Sequence, residues 1–266
     1  MARPFSDRAV VVRRYDLGEA DRIIVLLTRT NGLVRAVAKG VRRAQSRFGS
    51  RLSPFVETEV QLYPGRNLHT ITTADTLRTW AAPIVDDYAR YTCACAVLET
   101  SERLCGEEEP QPELYDLTCR SLAMLADGDA AAAQPEAVLC AHLLQAMRIA
   151  GWEPSLFNCA QCGKPGPHHA FSPAAGGAVC VECRPPGAAT PPTEVLRLMW
   201  WLLNDKLDAV AAASQDPGFG HLLSTARNLT VAHLQWHIGR RVAALELADP
   251  RWQRGSAPTS GGAAPA

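Results

Sequence analysis

The sequence predicts an α+β chain: a five-stranded β-barrel, then a helical bundle carrying an inserted four-cysteine module. Three observations predict it. Apolar residues recur with period two up to Trp80-Ala81-Ala82-Pro83 and at steps of three and four beyond it. Two C-x2-C pairs stand 17 residues apart in the helical half. Charge is also divided: residues 1–80 hold 14 Lys/Arg against 7 Asp/Glu, net +7, and the remainder holds 13 against 20, net −7, in a chain of formal charge zero. The expected organisation is a barrel over 1–80, helices over 83–252 with the insertion at 157–187, and a tail at 253–266. That tail is too poor in apolar side chains to fold.

The strands come in order. Ala9 to Arg14 is rich in valine and ends before the turn Leu17-Gly18-Glu19. Arg22 to Thr28 is almost continuously apolar, as in a strand buried on both faces. Asn31-Gly32 is a strong hairpin signal and leads into Leu33 to Lys39. Alternation there puts Arg35 and Lys39 on one face, able to meet a ligand. In Phe55 to Tyr63, Val56, Thr58, Val60 and Leu62 oppose Glu57, Glu59 and Gln61. After the turn Pro64-Gly65-Arg66-Asn67, Leu68 to Leu77 returns as a threonine-rich strand. Five strands with one long gap between the third and fourth fit a closed barrel of the OB type. A small open sandwich or an SH3-like barrel fits nearly as well.

The helices follow. Tyr88, Tyr91, Cys95, Leu98 and Cys105 form a stripe broken only by Glu102. Leu114 to Leu125 is entered through Pro110 and Pro112, and Glu136 to Ala150 ends at Gly151. Thr193 is a candidate N-cap for a helix bearing Val195, Met199, Leu202, Lys206 and Val210. The last helix shows Leu222, Ala226, Leu229, His233 and Trp236. These stripes read as packing faces of a bundle. Cys93, Cys95, Cys105, Cys119 and Cys140 read as small hydrophobes within it. Asp86-Asp87 and Glu107-Glu108-Glu109 read as solvated carboxylates, and His142, His233 and His237 as core or surface residues.

Cys159, Cys162, Cys180 and Cys183 have the spacing of a four-thiolate zinc site. Each C-x2-C knuckle sets two sulfurs on one side of a tight turn, and two knuckles close a tetrahedron. Four thiolates leave no open position, so one Zn2+ here is structural and supplies folding free energy to a segment with little core. His168 and His169 lie between the knuckles as possible substitutes, and four unrelated cysteines or two disulfides are the other reading of the quartet.

Between Asp21 and Glu57 there are eight basic residues and no acidic one. Such a run is either an idle solvated surface or a nucleic-acid site. The candidate phosphate contacts are Arg35, Lys39, Arg42, Arg43, Arg47 and Arg51, with Arg66 in the turn before the fifth strand. Were the long connection helical, Arg43, Arg47 and Arg51 would share a face; Gly40 and Gly49 make a loop an equal candidate. Phe48, Phe55 and Tyr63 could stack on bases, although core packing suits them better.

Catalytic signatures are missing. There is no G-x4-G-K-[ST] loop, no H-E-x-x-H and no G-x-S-x-G elbow. The His-x-Glu and Pro-Cys-x-x-Cys of a zinc deaminase are absent too. No apolar run approaches the ~20 residues that span a bilayer, and no leader opens the chain, so a non-enzymatic cytoplasmic protein is expected. A zinc-finger regulator is disfavoured, because its reading loop, 163–179, contains only Lys164 as a cation. A scaffold whose basic run docks an acidic protein partner stays open.

Leu17-Gly18-Glu19-Ala20-Asp21-Arg22, Ala38-Lys39-Gly40-Val41-Arg42-Arg43 and Ser46 to Phe55 resemble the RecO family of bacterial recombination mediators. The order of barrel, bundle and cysteine insertion is also similar, over about residues 5–250. The resemblance implies an OB domain that binds single- and double-stranded DNA and a role in gap repair. It implies annealing of complementary strands, partnership with RecR and the C-terminal tail of single-strand-binding protein, and indirect links to RecF and RecA. It implies a place at the nucleoid.

Overall fold

The computed structural model describes residues 3–127, 134–239 and 241–248; the expected tail at 253–266 lies outside them. Strands β1 (Phe5–Leu17), β2 (Asp21–Thr28), β3 (Leu33–Ala38), β4 (Val56–Tyr63) and β5 (His69–Thr79) close a barrel in the order β1-β2-β3-β5-β4. All neighbours are antiparallel except β3 and β5, which close it in parallel, Ala36 beside His69. This is the OB arrangement, and it removes every sheet edge.

The sequence of β2 explains how the barrel joins the rest. Ile24 and Leu26 point into the barrel with Val11, Val34, Val60, Leu62 and Ile71. Val25 and Leu27 point outward, into the core shared with the helices. Both faces are buried, as the continuous apolar run requires. At the β2–β3 turn Gly32 adopts φ 66°, and a Cβ there would collide with the backbone of Glu109.

The connection from β3 to β4 is neither one helix nor an unstructured loop. Successive i→i+3 bonds, Arg43 N to Gly40 O (3.1 Å) and Ser46 N to Arg43 O (3.0 Å), lead to a 3-10 turn at Gly49–Leu52. Phe48 and Leu52 plug the barrel core, at 1% and 2% exposure. Arg43, Arg47 and Arg51 therefore do not form one helical face.

The helical part contains α1 (Ala81–Val85), α2 (Tyr88–Leu104), α3 (Pro112–Ala126), α4 (Pro135–Ile149), α5 (Thr193–Leu203), α6 (Leu207–Ala213), α7 (Phe219–Ile238) and α8 (Ala243–Leu247). Helix α2 differs from the expected stripe. Tyr88 and Tyr91 are exposed, whereas Thr92 to Ala94 and Ala96 to Ser101 are buried. The helix is enclosed by β1, α3, α4 and α8, so its burial is nearly circumferential. Asp87, expected as a solvated charge, caps it by accepting from Arg90 N at 2.8 Å.

Thr193 is the first helical residue and not the cap; Pro192 holds that position without a side-chain bond. The expected single helix through Val210 is two, because Asn204 ends α5 and Asp205 adopts φ 51°. Trp236 is solvent-exposed, while Leu223, Ala226, Thr230, His233 and Leu234 form the buried face of α7. Between α4 and α5 a small hairpin, β6 (Ala170–Ser172) with β7 (Gly177–Val179), carries the cysteine module. No helix among the described residues is long and apolar enough to cross a membrane.

Candidate nucleic-acid interface and metal centre

The start of the β3–β4 connection, with Arg42, is held against the β1–β2 turn. Gly40 N donates to Asp21 Oδ1 (2.7 Å) and Arg42 N to Ala20 O (3.0 Å), which pins the connection there. Arg42 donates to Gly18 O at 3.1 Å and lies 3.6 Å from Asp16, which also pairs with Arg22 at 2.8 Å. The Asp16 carboxyl is held below its usual range, chiefly by the Arg22 hydrogen bond.

The seven expected contacts are all exposed but not equivalent. Lys39, Arg43, Arg47, Arg51 and Arg66 make no ion pair among the described residues. Arg51 bonds Arg47 O at 2.8 Å, and the Arg47 guanidinium lies 4.8 Å from the Phe48 ring centroid. Arg35 is paired with Glu107 at 3.0 Å. Arg66 sits apart, in the turn that enters β5 beside Ala36. Of the three candidate stacking rings, Phe48 and Phe55 are buried, and only Tyr63 is exposed.

Two further cations join this surface. Arg14 and Arg22 fall on adjacent strands, since Asp16 pairs with Arg22 and Arg14 with Ile24. Burial, then the Arg22 charge, lowers the affinity of the Arg14 guanidinium for its proton. The signal was present in the hairpin register, with both arginines flanking the same turn. A second group, Arg8, Arg29, Arg78 and Arg120, lines a cleft of about 480 Å3 with Glu57 and Asp116.

Much of the basic excess serves assembly. Arg13 meets Glu102 (2.7 Å) and Glu99 (3.8 Å), Arg29 meets Asp116 (3.0 Å), and Arg35 meets Glu107. Each pair joins the barrel to a helix or, for Glu107, to the loop between α2 and α3. The opposed charge of the two halves thus has a structural cause besides any ligand. The triplet Glu107 to Glu109 is solvent-exposed, as expected, and Glu107 and Glu108 also pair with Arg35 and His69 of the barrel.

The cysteine quartet converges. One sulfur from each of Cys159, Cys162, Cys180 and Cys183 lies within 4.8 Å of the other three. The Cys162–Cys180 pair, at 3.8 Å, matches the edge of a tetrahedron with Zn–S of about 2.3 Å. Cys180 N donates to Cys159 Sγ at 3.4 Å, and the thiol of Cys159 is pushed down to about 6, first by that bond and then by Cys162 N–H. The donor set and geometry suit one thiophilic metal ion, and all nine cysteines are free of disulfides. Neither histidine joins the quartet: His168 Nε2 lies 2.8 Å from Lys164 O.

Cys140 is fully enclosed, its thiol pushed up to about 12 by burial, and Cys93 behaves likewise. Cys95 and Cys119 are only partly buried. His142 accepts or donates to Ser121 (2.9 Å) and Ser101 (3.3 Å) inside the bundle. Cys93, Cys140 and His142 are packing groups, whereas Cys95 and Cys119 each stand in the wall of a surface cleft.

Two family models match the chain: that for the N-terminal part of recombination protein O covers residues 1–80, and that for its C-terminal part covers 85–246. The chain belongs to the recombination protein O family, whose members mediate recombination and repair.

Proposed function

We propose that the chain binds single- and double-stranded DNA without catalysing a reaction, anneals complementary strands, and helps load RecA onto DNA coated by single-strand-binding protein. RecR and the C-terminal tail of that coating protein are its expected direct partners, and RecF an indirect one. The cysteine quartet holds one structural zinc ion. The observation that carries the DNA reading is the run Lys39, Arg43, Arg47 and Arg51, exposed and without carboxylate partners among the described residues, in the connection whose Arg42 shares Asp16 with Arg22.

The mechanism is electrostatic. Guanidinium and ammonium groups neutralise phosphates and release counterions, so affinity depends on salt far more than on sequence. About five single-strand phosphate contacts give a log–log salt slope of roughly −3.5, or on the order of a hundredfold loss between 50 and 200 mM salt. Annealing needs the repulsion between two strands to be screened, and a basic surface supplies that screening.

The test is the double variant Arg42→Glu with Arg43→Glu, read by gel shift and by strand annealing with and without single-strand-binding protein. Both activities fall while the circular dichroism spectrum is retained. Parent-like binding at low salt overturns the reading.

A further inference from the structure

The barrel and the helices do not close completely on each other. Between β1, α1, α2 and α8 they leave a groove of about 400 Å3, within the ~300–1,000 Å3 typical of small-ligand clefts. Its buried side is apolar, made by Val12, Phe55 and Leu98 at 8%, 3% and 3% exposure. Its other lining includes Val85 and Tyr91, which remain 58% and 42% exposed. Tyr91 meets Phe55 edge to face at 5.8 Å, so its ring is braced from one side. Exposed aromatic and aliphatic surface of this kind marks an unfilled contact.

The charges around the groove select the occupant. Arg14 lines it, makes no ion pair among the described residues, and feels the charge of Arg22, which shares Asp16 with Arg42. The acidic side chain lining the groove is Glu99, and its oxygens are already engaged. They accept from Ala244 N (2.8 Å), Arg103 (3.1 Å) and Ala243 N (3.3 Å). A guest with an apolar, planar body and an anionic handle fits such a place. Every unpaired nucleotide has that chemistry, since its base offers a π-face and its phosphate a negative charge.

We propose that this groove receives an unpaired nucleobase of a DNA strand, stacked on Tyr91, while the flanking phosphates run over Arg14, Arg22 and Arg42. The proposal rests on the DNA reading above and adds a single-strand preference to it. A base in a duplex is already stacked and paired, and turning it out costs a few kcal/mol. The groove therefore strengthens binding of single strands only.

Tyr91→Ala and Tyr91→Phe are compared with the parent on an oligo-dT strand and on a blunt duplex, across a salt series. Tyr91→Ala loses about tenfold in single-strand affinity with an unchanged salt slope, because stacking releases no counterions. Its duplex affinity stays at the parent value, which also shows that the fold is intact, and Tyr91→Phe binds as the parent does. Ultraviolet cross-linking of an iododeoxyuridine-substituted strand to the parent places the adduct on Tyr91. Single-strand affinity unchanged in Tyr91→Ala, or lost equally for both DNAs, overturns the proposal; an unchanged affinity leaves the groove to an apolar protein segment. A parent that binds neither DNA overturns the DNA reading itself.

Discussion

Nε of Arg35 lies 3.0 Å from Oε1 of Glu107, an ion pair that ties a barrel strand to the loop that leaves α2. The backbone reinforces the contact: Leu33 N donates to Gly106 O at 3.1 Å and Glu108 N to Leu33 O at 3.3 Å. The loop thus lies along β3, and Glu108 reaches to 3.6 Å from His69 on β5. Carboxylates occupy the place on β3 from which a cation would meet phosphate. On the proposed DNA reading, Arg35 is therefore expected to contribute less to binding than Lys39 or Arg43.

Glu107→Gln should release Arg35. The pair is exposed, and such pairs contribute about 0.2–1 kcal/mol. Removing the carboxylate also lowers repulsion toward a phosphate chain. Single-strand affinity rises about threefold at low salt, and the gain fades as salt is raised. Equal or weaker binding in an anisotropy titration would show that Arg35 is not near the DNA.

The barrel was legible because its signals are local. Period-two alternation, Asn31-Gly32 and the doubly apolar β2 each specify their own strand, and the two cysteine knuckles carry their spacing with them. What could not be read depends on distant partners. The stripe assigned to α2 was misphased because a helix buried around nearly its whole circumference from Thr92 to Ser101 has no single apolar face, while Tyr88 and Tyr91 in its first turn are exposed, Tyr91 beside the groove. Arg35 carries no sign in its own strand that Glu107 neutralises it. Glu57 alternates as a solvent-facing residue, yet Tyr115 of α3 covers it. The break at Asp205 is a backbone event that no periodicity announces.

That covered carboxylate makes a second prediction. Tyr115 donates to Glu57 Oε1 at 2.9 Å, and Glu57 is 6% exposed. Burial, with the neighbouring carboxylate, raises the phenol above its usual range, so it stays a donor. Tyr115→Phe keeps the ring packing and removes the donor from a buried acceptor. The cost is about 1–3 kcal/mol, read as a lower midpoint in urea with an unchanged m-value. A midpoint within error of the parent would mean that Arg78, 3.6 Å away, suffices for Glu57.

Two enclosed histidines set the response to acid. Burial lowers His142 to about 3 and His233 to about 4, against about 6.5 in the unfolded chain. Between these limits the unfolded chain binds more protons, so stability rises with pH there. It is full above about pH 6.5 and is lost as pH falls, by about 1.4 kcal/mol per unit for each histidine. Replacing His142 by Gln removes one titrating site and halves the slope between about pH 6.5 and 5, where ordinary carboxylates remain ionised. An unaltered slope in denaturant titrations would assign the acid sensitivity elsewhere.

The metal makes the last prediction. The module's own cluster holds little more than Cys159, Ala170, Val179 and Cys180, too small a core to order 157–187 alone. It is fastened to the bundle by Phe171, fully buried and 5.9 Å from the His233 ring. With four mutually close sulfurs, deprotonating them all without a cation sets four negative charges within 4.8 Å of one another. On the proposed zinc reading, metal binding is part of folding the module, and chelation should release it. Purified protein should carry one zinc per chain by metal analysis. A strong chelator opens the stretch between Phe157 and Gly187 to protease, and changing all four cysteines to serine does the same. Oligonucleotide binding at the barrel survives both treatments, since no metal ligand lies there. A zinc content far from one per chain, or a protease-resistant module in the four-serine variant, would refute a structural zinc.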